Sequence, residues 1–126
     1  MTQFPELEDL LHIAAKIQQT PTAAVRDYGL LESALARPQA SIFGQDAYPT
    51  LHEKIAALMH SIARNHALVD GNKRLAWVTA RAVYRLNDRD MRAPSVDEGE
   101  EFVLAIACGE LEVPEIAKTL AEWTVK

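Results

Sequence analysis

The chain has a single cysteine, Cys108, among its 126 residues, so no disulfide can form within it. A reducing compartment suits such a composition, and stability has to come from a packed core. Cys108 ends an apolar run that starts at Phe102, which predicts a buried, unreactive thiol. An excess of positive charge is also missing: 13 Lys and Arg against 18 Asp and Glu leave a net charge of −5. That balance argues against a broad nucleic-acid footprint. It leaves room for a local cationic pocket built from Lys73 and Arg74 with the nearby Arg64 and Arg81. No apolar window is long enough to span a bilayer, and no cationic N-terminal patch leads into an apolar run. A cytoplasmic protein that contacts neither a membrane nor nucleic acid directly is the expectation. Internal repeats, linkers and low-complexity tracts are absent, and no run of any length alternates at strand period.

What is present is an ordinary globular composition, 48% hydrophobic and 25% charged, in a length (1–126) that suits one domain. Glu6 to Gln19 repeats Leu7, Leu10, Leu11, Ala14 and Ile17 at helical spacing, between Pro5 and Pro21. Tyr28 to Arg37 is a shorter helix stopped by Pro38. The stretch 39–49, broken by Gly44, Asp46 and Pro49, reads as a loop or small hairpin carrying Ile42, Phe43 and Tyr48.

Thr50 and Glu53 stand at capping-box spacing before the stripe Leu51, Ile55, Leu58, Met59 and Ile62, which ends near Asn65. Asn72 to Leu86 is the next helix, with Leu75, Val78, Ala82 and Leu86 expected inward. Ser95 and Glu98 repeat the capping-box spacing before a helix that stops at Gly109. Pro114 opens the last helix, with Ile116, Leu120 and Trp123 on its apolar side. An all-α domain is expected.

The window from His66 to Arg74 holds a proton acceptor, a carboxylate, a glycine turn, an amide and two cations, and runs directly into an apolar helix. A helix start carries unpaired N–H groups and the positive end of the helix dipole, which together attract phosphate. Gly71 can turn successive N–H groups into one concavity, and Asn72 can cap the helix or bond an oxyanion. Lys73 and Arg74 suit a multiply charged ligand. Asp70 is placed to share a magnesium ion with phosphate oxygens, and His66 can fold back over the bound group to accept a proton. Asp-Gly-Asn alone is a common turn, and a lone histidine at a helix end is most often a surface residue. The conjunction of all six in nine residues favours a phosphate-handling site. His12, His52 and His60 lack metal-ligand spacing and fall to packing or surface, and Trp77 and Trp123 to the core. The P-loop pattern G-x-x-x-x-G-K-(S/T) is absent.

His66-Ala-Leu-Val-Asp70-Gly-Asn-Lys-Arg74 resembles the motif of the Fic/Doc (Fido) superfamily, H-x-F-x-(D/E)-(A/G)-N-(G/K)-R. Lys73 in its eighth position is similar to the Doc-type "death on curing" toxins of toxin–antitoxin systems. Tyr28 to Pro38 and the following Phe43 to Pro49 segment resemble the helix and flap that precede the motif in such toxins.

The resemblance implies a Fido helical bundle over the whole chain, with His66 as general base and Asp70 as magnesium ligand. Gly71 and Asn72 would form the anion nest, and Lys73 and Arg74 would contact nucleotide phosphates. The flap residues Ile42, Phe43, Gly44 and Tyr48 would dock the target by strand-like pairing. ATP with Mg2+ would be used to modify a protein hydroxyl, with elongation factor Tu as the implied target and translation arrest as the result. A Phd-like antitoxin helix would restrain the chain, because the self-inhibitory pattern (S/T)-x-x-x-E-(G/N) is missing; Ser95 to Gly99 is one residue short of it.

Leu68 replaces the family's Phe, and Trp77 stands where AMP-transferring relatives carry a second Arg. Lys73 and Trp77 together favour γ-phosphoryl transfer, a reaction that rests on positioning and charge. AMP transfer, or a binding module without catalysis, would be the alternatives. The intact His66, Asp70, Asn72 and Arg74 weigh against the latter.

Overall fold

A computed structural model of the chain describes residues 1–125. Six helices make up the fold: α1 (Leu7–Gln18), α2 (Tyr28–Ala36), α3 (Leu51–Asn65), α4 (Asn72–Leu86), α5 (Val96–Ala107) and α6 (Val113–Trp123). The described residues are 62% helical, and the all-α expectation holds. Short strands fill the gaps. β1 (Ser41–Ile42) pairs antiparallel with β2 (Gln45–Asp46), and β3 (Asp90–Met91) with β4 (Thr124–Val125).

The core forms around α3, which touches α2, α4, α5 and α6. Every residue from Lys54 to Met59 on it is buried, so this helix is enclosed almost all round. Its start is fixed by the capping box legible in the sequence: the Thr50 hydroxyl accepts the Glu53 N–H, and the Glu53 carboxylate accepts the Thr50 N–H. At α5 only half of that device forms. Ser95 caps the Glu98 N–H, while the Glu98 carboxylate turns to the Ser95 hydroxyl.

Three details differ from the sequence reading. On α4 the buried face is Leu75, Ala76, Thr79, Ala80, Val83 and Tyr84, whereas Val78 and Leu86 are 38% and 49% exposed. The stripe is rotated because Leu75, Val83 and Tyr84 pack inward with the small Ala76 and Ala80 between them, which leaves Val78 and Leu86 beside α1. Cys108 is exposed, because it sits at the C-cap of α5 after Phe102, Val103 and Ile106 have taken the inward positions. The segment after α2 continues as a tight 3-10 turn at Arg37–Gln39 before the flap.

Candidate active site

The motif loop is tied down through its backbone and leaves its reactive side chains free. α3 ends at Asn65, and His66 follows in the left-handed conformation (φ 52°, ψ 47°), which turns the chain off the helix axis. Ala67 and Leu68 then drop into the core at 2% and 0% exposure. Leu68 supplies the apolar anchor in place of the family's Phe. The segment after α1 braces this stretch: Val25 bridges Leu68, the Ala67 carbonyl accepts the N–H groups of Arg26 (2.7 Å) and Asp27 (3.1 Å), and the Val69 N–H reaches the Ala24 carbonyl (3.1 Å).

Two further residues complete the frame. The Gln18 amide donates to the carbonyls of Asp70 and Ala24, both at 3.1 Å, and accepts the Ala24 N–H at 2.7 Å. Gly71 adopts φ 84°, and a Cβ there would lie 2.9 Å from Ile17 Cγ2. The glycine is therefore required both by backbone conformation and by the approach of α1. Gly71, and not Asn72, is the N-cap of α4, and no side chain caps this helix. The Asn72 amide is instead committed to Leu68, accepting its N–H at 2.9 Å and donating to its carbonyl at 3.1 Å. The first N–H groups of α4 consequently have no intrahelical or side-chain acceptor, the condition that suits a helix start to an anion.

His66, Asp70, Lys73 and Arg74 are all exposed. Among the described residues their side chains make no hydrogen bond or ion pair, in contrast to the heavily bonded backbone beneath them. Beside Lys73 and Arg74 opens a groove of about 840 Å³ between α4 and α5, with Trp77, Met91 and Val103 among its apolar residues. Arg81 and Arg92 join the two motif cations along it. A local cationic pocket was expected, but its membership differs: Arg64 points away to Glu112 and His60, and Arg92 takes its place. Asp90 collects Arg81, Arg85 and Arg92 at 3.2, 3.6 and 3.7 Å. Its hydrogen bonds from Arg81, above all, hold its carboxyl down to about 2.

Trp77 also meets Trp123 edge-on at 6.3 Å between ring centroids, and Trp123 meets Phe102 at 5.0 Å, so the tryptophans pack at the core's margin. The flap residues lie apart from the loop, on the hairpin between α2 and α3. Phe43 and Gly44 form its two-residue turn, both with positive φ (51° and 79°), and Ile42 and Phe43 are 61% and 102% exposed. Tyr48 is half-buried at the hairpin's base. No cluster of three or more His, Cys, Asp or Glu at metal-binding geometry occurs among the described residues.

The model of the Fic/DOC family matches residues 4–84, which include the flap, the motif loop and most of α4. The chain belongs to the Fic/DOC family. A protein of Mycolicibacterium smegmatis named Toxin Doc is 46% identical over 122 residues, covering 96% of this chain and 93% of that protein. Fic/DOC proteins are enzymes that transfer nucleotide-derived groups to proteins. The motif positions of the family fall in this chain on a loop whose backbone is held from α1, the segment 24–27 and α4. Gln18 and Arg92 had not been singled out by sequence reasoning. Gln18 acts across 52 residues of chain, and no local pattern marks it. Arg92 lies in a short segment between helices, outside any period.

Proposed function

We propose that this chain is the toxin of a bacterial toxin–antitoxin pair and a Fido-type protein Ser/Thr kinase, with residues 1–126 as one Fido domain. It transfers the γ-phosphate of ATP to a hydroxyl of a host protein, with elongation factor Tu as the target and translation as the process stopped in the cytoplasm. The observation that carries this reading is the motif loop: a rigid backbone presenting an unpartnered histidine and carboxylate next to an uncapped helix start and two free cations.

The chemistry follows from those groups. An imidazole nitrogen of His66 takes the proton of the target hydroxyl. The hydroxyl oxygen forms a bond to the γ-phosphorus, the bond from that phosphorus to the bridging oxygen breaks, and ADP leaves. The N–H groups at Gly71 and Asn72, with Lys73 and Arg74, hold the phosphate oxygens as their charge redistributes. Asp70 fits a magnesium ligand, since an exposed, unpartnered carboxylate beside a phosphate cradle is enough for an ion that shares its shell with substrate oxygens. Magnesium there would supply neutralisation of the phosphate charge. Lys73 occupies the room that the diphosphate needs in an AMP-transfer pose, and Trp77 offers no charge for terminal phosphates.

Restraint comes from an antitoxin segment that folds as a helix. The groove beside α4 supports this reading, because its apolar Trp77, Val96 and Leu104 lie among Lys73, Arg74, Arg81 and Arg92, a surface suited to an acidic amphipathic helix. Incubation of purified elongation factor Tu with this protein, ATP and Mg2+, followed by intact-mass analysis, tests the function. A gain of one phosphate is expected; a gain of AMP, or no gain, contradicts the kinase reading. Co-expression with the product of the adjacent gene is expected to restore growth and to yield a complex on purification.

A further inference from the structure

The two strands of the flap share only the pairs Ser41 with Asp46 and Ile42 with Gln45, plus one hydrogen bond from Ala47 to the Ala40 carbonyl (2.9 Å). A two-stranded hairpin of that size is marginal alone and takes its orientation from whatever holds its base. Here the base is held by two cations. Lys54, on α3, is 8% exposed, and its ammonium donates to Asp46 Oδ2 at 3.0 Å and to the Tyr48 carbonyl at 2.5 Å. A buried ammonium is costly without such partners, so its place in the interior is tied to those contacts.

Arg37, from the end of α2, donates through Nε to the Tyr48 hydroxyl at 3.0 Å, and its guanidinium lies 5.6 Å from the Tyr48 ring centroid. Its Nη1 meets His60 Nδ1 at 2.8 Å and donates to Ser61 Oγ at 3.1 Å, both on α3. Every contact that the two cations make with the flap falls on its returning leg, Asp46 to Tyr48, while the tip stays exposed. The same helix α3 ends at Asn65, with His66 as its C-cap. One rigid element therefore fixes both the flap and the proposed base.

We propose that Lys54 and Arg37 are positioning residues for the protein substrate: they set where the flap presents its strand relative to His66, without touching substrate or nucleotide. The inference rests on the kinase reading given above. Removing the Lys54 charge frees the leg and misplaces the target hydroxyl, while the nucleotide loop, held by Gln18, Asn72 and segment 24–27, is left as it was.

The test is Lys54→Met beside the wild-type protein, with purified bacterial elongation factor Tu as the protein substrate. kcat/KM for that substrate is expected to fall about tenfold or more, with KM for ATP little changed, since small misplacements of a reacting group are costly. Hydrogen exchange of the amides in 40–48 is expected to quicken, with the α3 and α4 cores unaffected. Asp46→Ala, at an exposed residue, is expected to reproduce both effects should Lys54→Met fold poorly. Unchanged kcat/KM for the factor together with unchanged flap exchange, or a loss that lies in KM for ATP, would overturn the inference. Should wild-type protein not modify the factor at all, the kinase reading falls, and flap exchange alone decides the anchoring: faster exchange confined to 40–48 sustains it, and unchanged exchange ends it.

Discussion

Asn72 grips the backbone of Leu68 on both sides of its Cα, accepting its N–H and donating to its carbonyl across one turn of the motif loop. The amide of the motif is thus a structural clamp, and it draws the chain tight enough for Asp70 and Gly71 to stand at the mouth of α4. Asn72→Ala orphans two peptide groups in the partly buried loop, so a loss of roughly 1–3 kcal/mol of stability is expected along with activity. Asn72→Asp keeps the acceptor, loses the donor, and adds a negative charge at the proposed phosphate cradle. Urea denaturation is expected to rank the variants below the wild type, and equal midpoints would contradict the clamp.

Gly71 is constrained twice, by φ 84° and by the 2.9 Å separation of a would-be Cβ from Ile17 Cγ2. Gly71→Ala is expected to cost on the order of 1–3 kcal/mol. The contact with Ile17 makes a sharper test possible. In a double-mutant cycle with Ile17→Ala, the combined loss should be smaller than the sum of the two single losses, because the clash disappears. Strict additivity would show that backbone conformation alone sets the penalty.

His66 and Asp70 are exposed and carry no packing role, so His66→Ala and Asp70→Ala are expected to leave the helical circular-dichroism spectrum and melting temperature close to wild type. Each is expected to abolish growth inhibition in a bacterial host. Full toxicity of the His66 variant would remove it from the chemistry.

How much of this was legible in the sequence depends on the range of the interaction. The limits of α3 and α4 followed from Thr50, Glu53 and the Gly71 turn, whose effects act within a few residues. The family motif, nine consecutive residues, was legible for the same reason. The orientation of α4 was misread, since alanines at 76 and 80 carry little hydropathy yet take the interior, while Val78 and Leu86 stay exposed beside α1. Cys108 was misplaced because an apolar run does not say which of its residues the helix turns outward. Gln18 and Arg92 act between elements far apart in the chain, and the Lys54 anchor, though it spans only six to eight residues, joins a helix to an irregular segment that no periodic pattern marks.

Two histidines confer a pH dependence. His52 meets the Tyr84 hydroxyl at 2.8 Å, and His60 sits against Arg37 and Arg64; burial, first of all, lowers the affinity of both rings for a proton in the folded state. The unfolded chain therefore binds protons that the folded chain refuses, and stability falls as pH drops below about 6.5. Denaturation midpoints are expected to decline from pH 7.5 toward pH 5.5, values chosen at roughly one unit either side of that point. His60→Gln should flatten part of the decline. A flat wild-type profile across this window would contradict the assignment of neutral rings.

The central claim is the identity of the group transferred. ATP labelled separately at the α- and the γ-phosphate, incubated with this protein, Mg2+ and elongation factor Tu, tests it most directly. Label from the γ-phosphate is expected on the target and label from the α-phosphate is not. Transfer of the α-label would show AMP transfer and contradict the role given to Lys73 and Trp77.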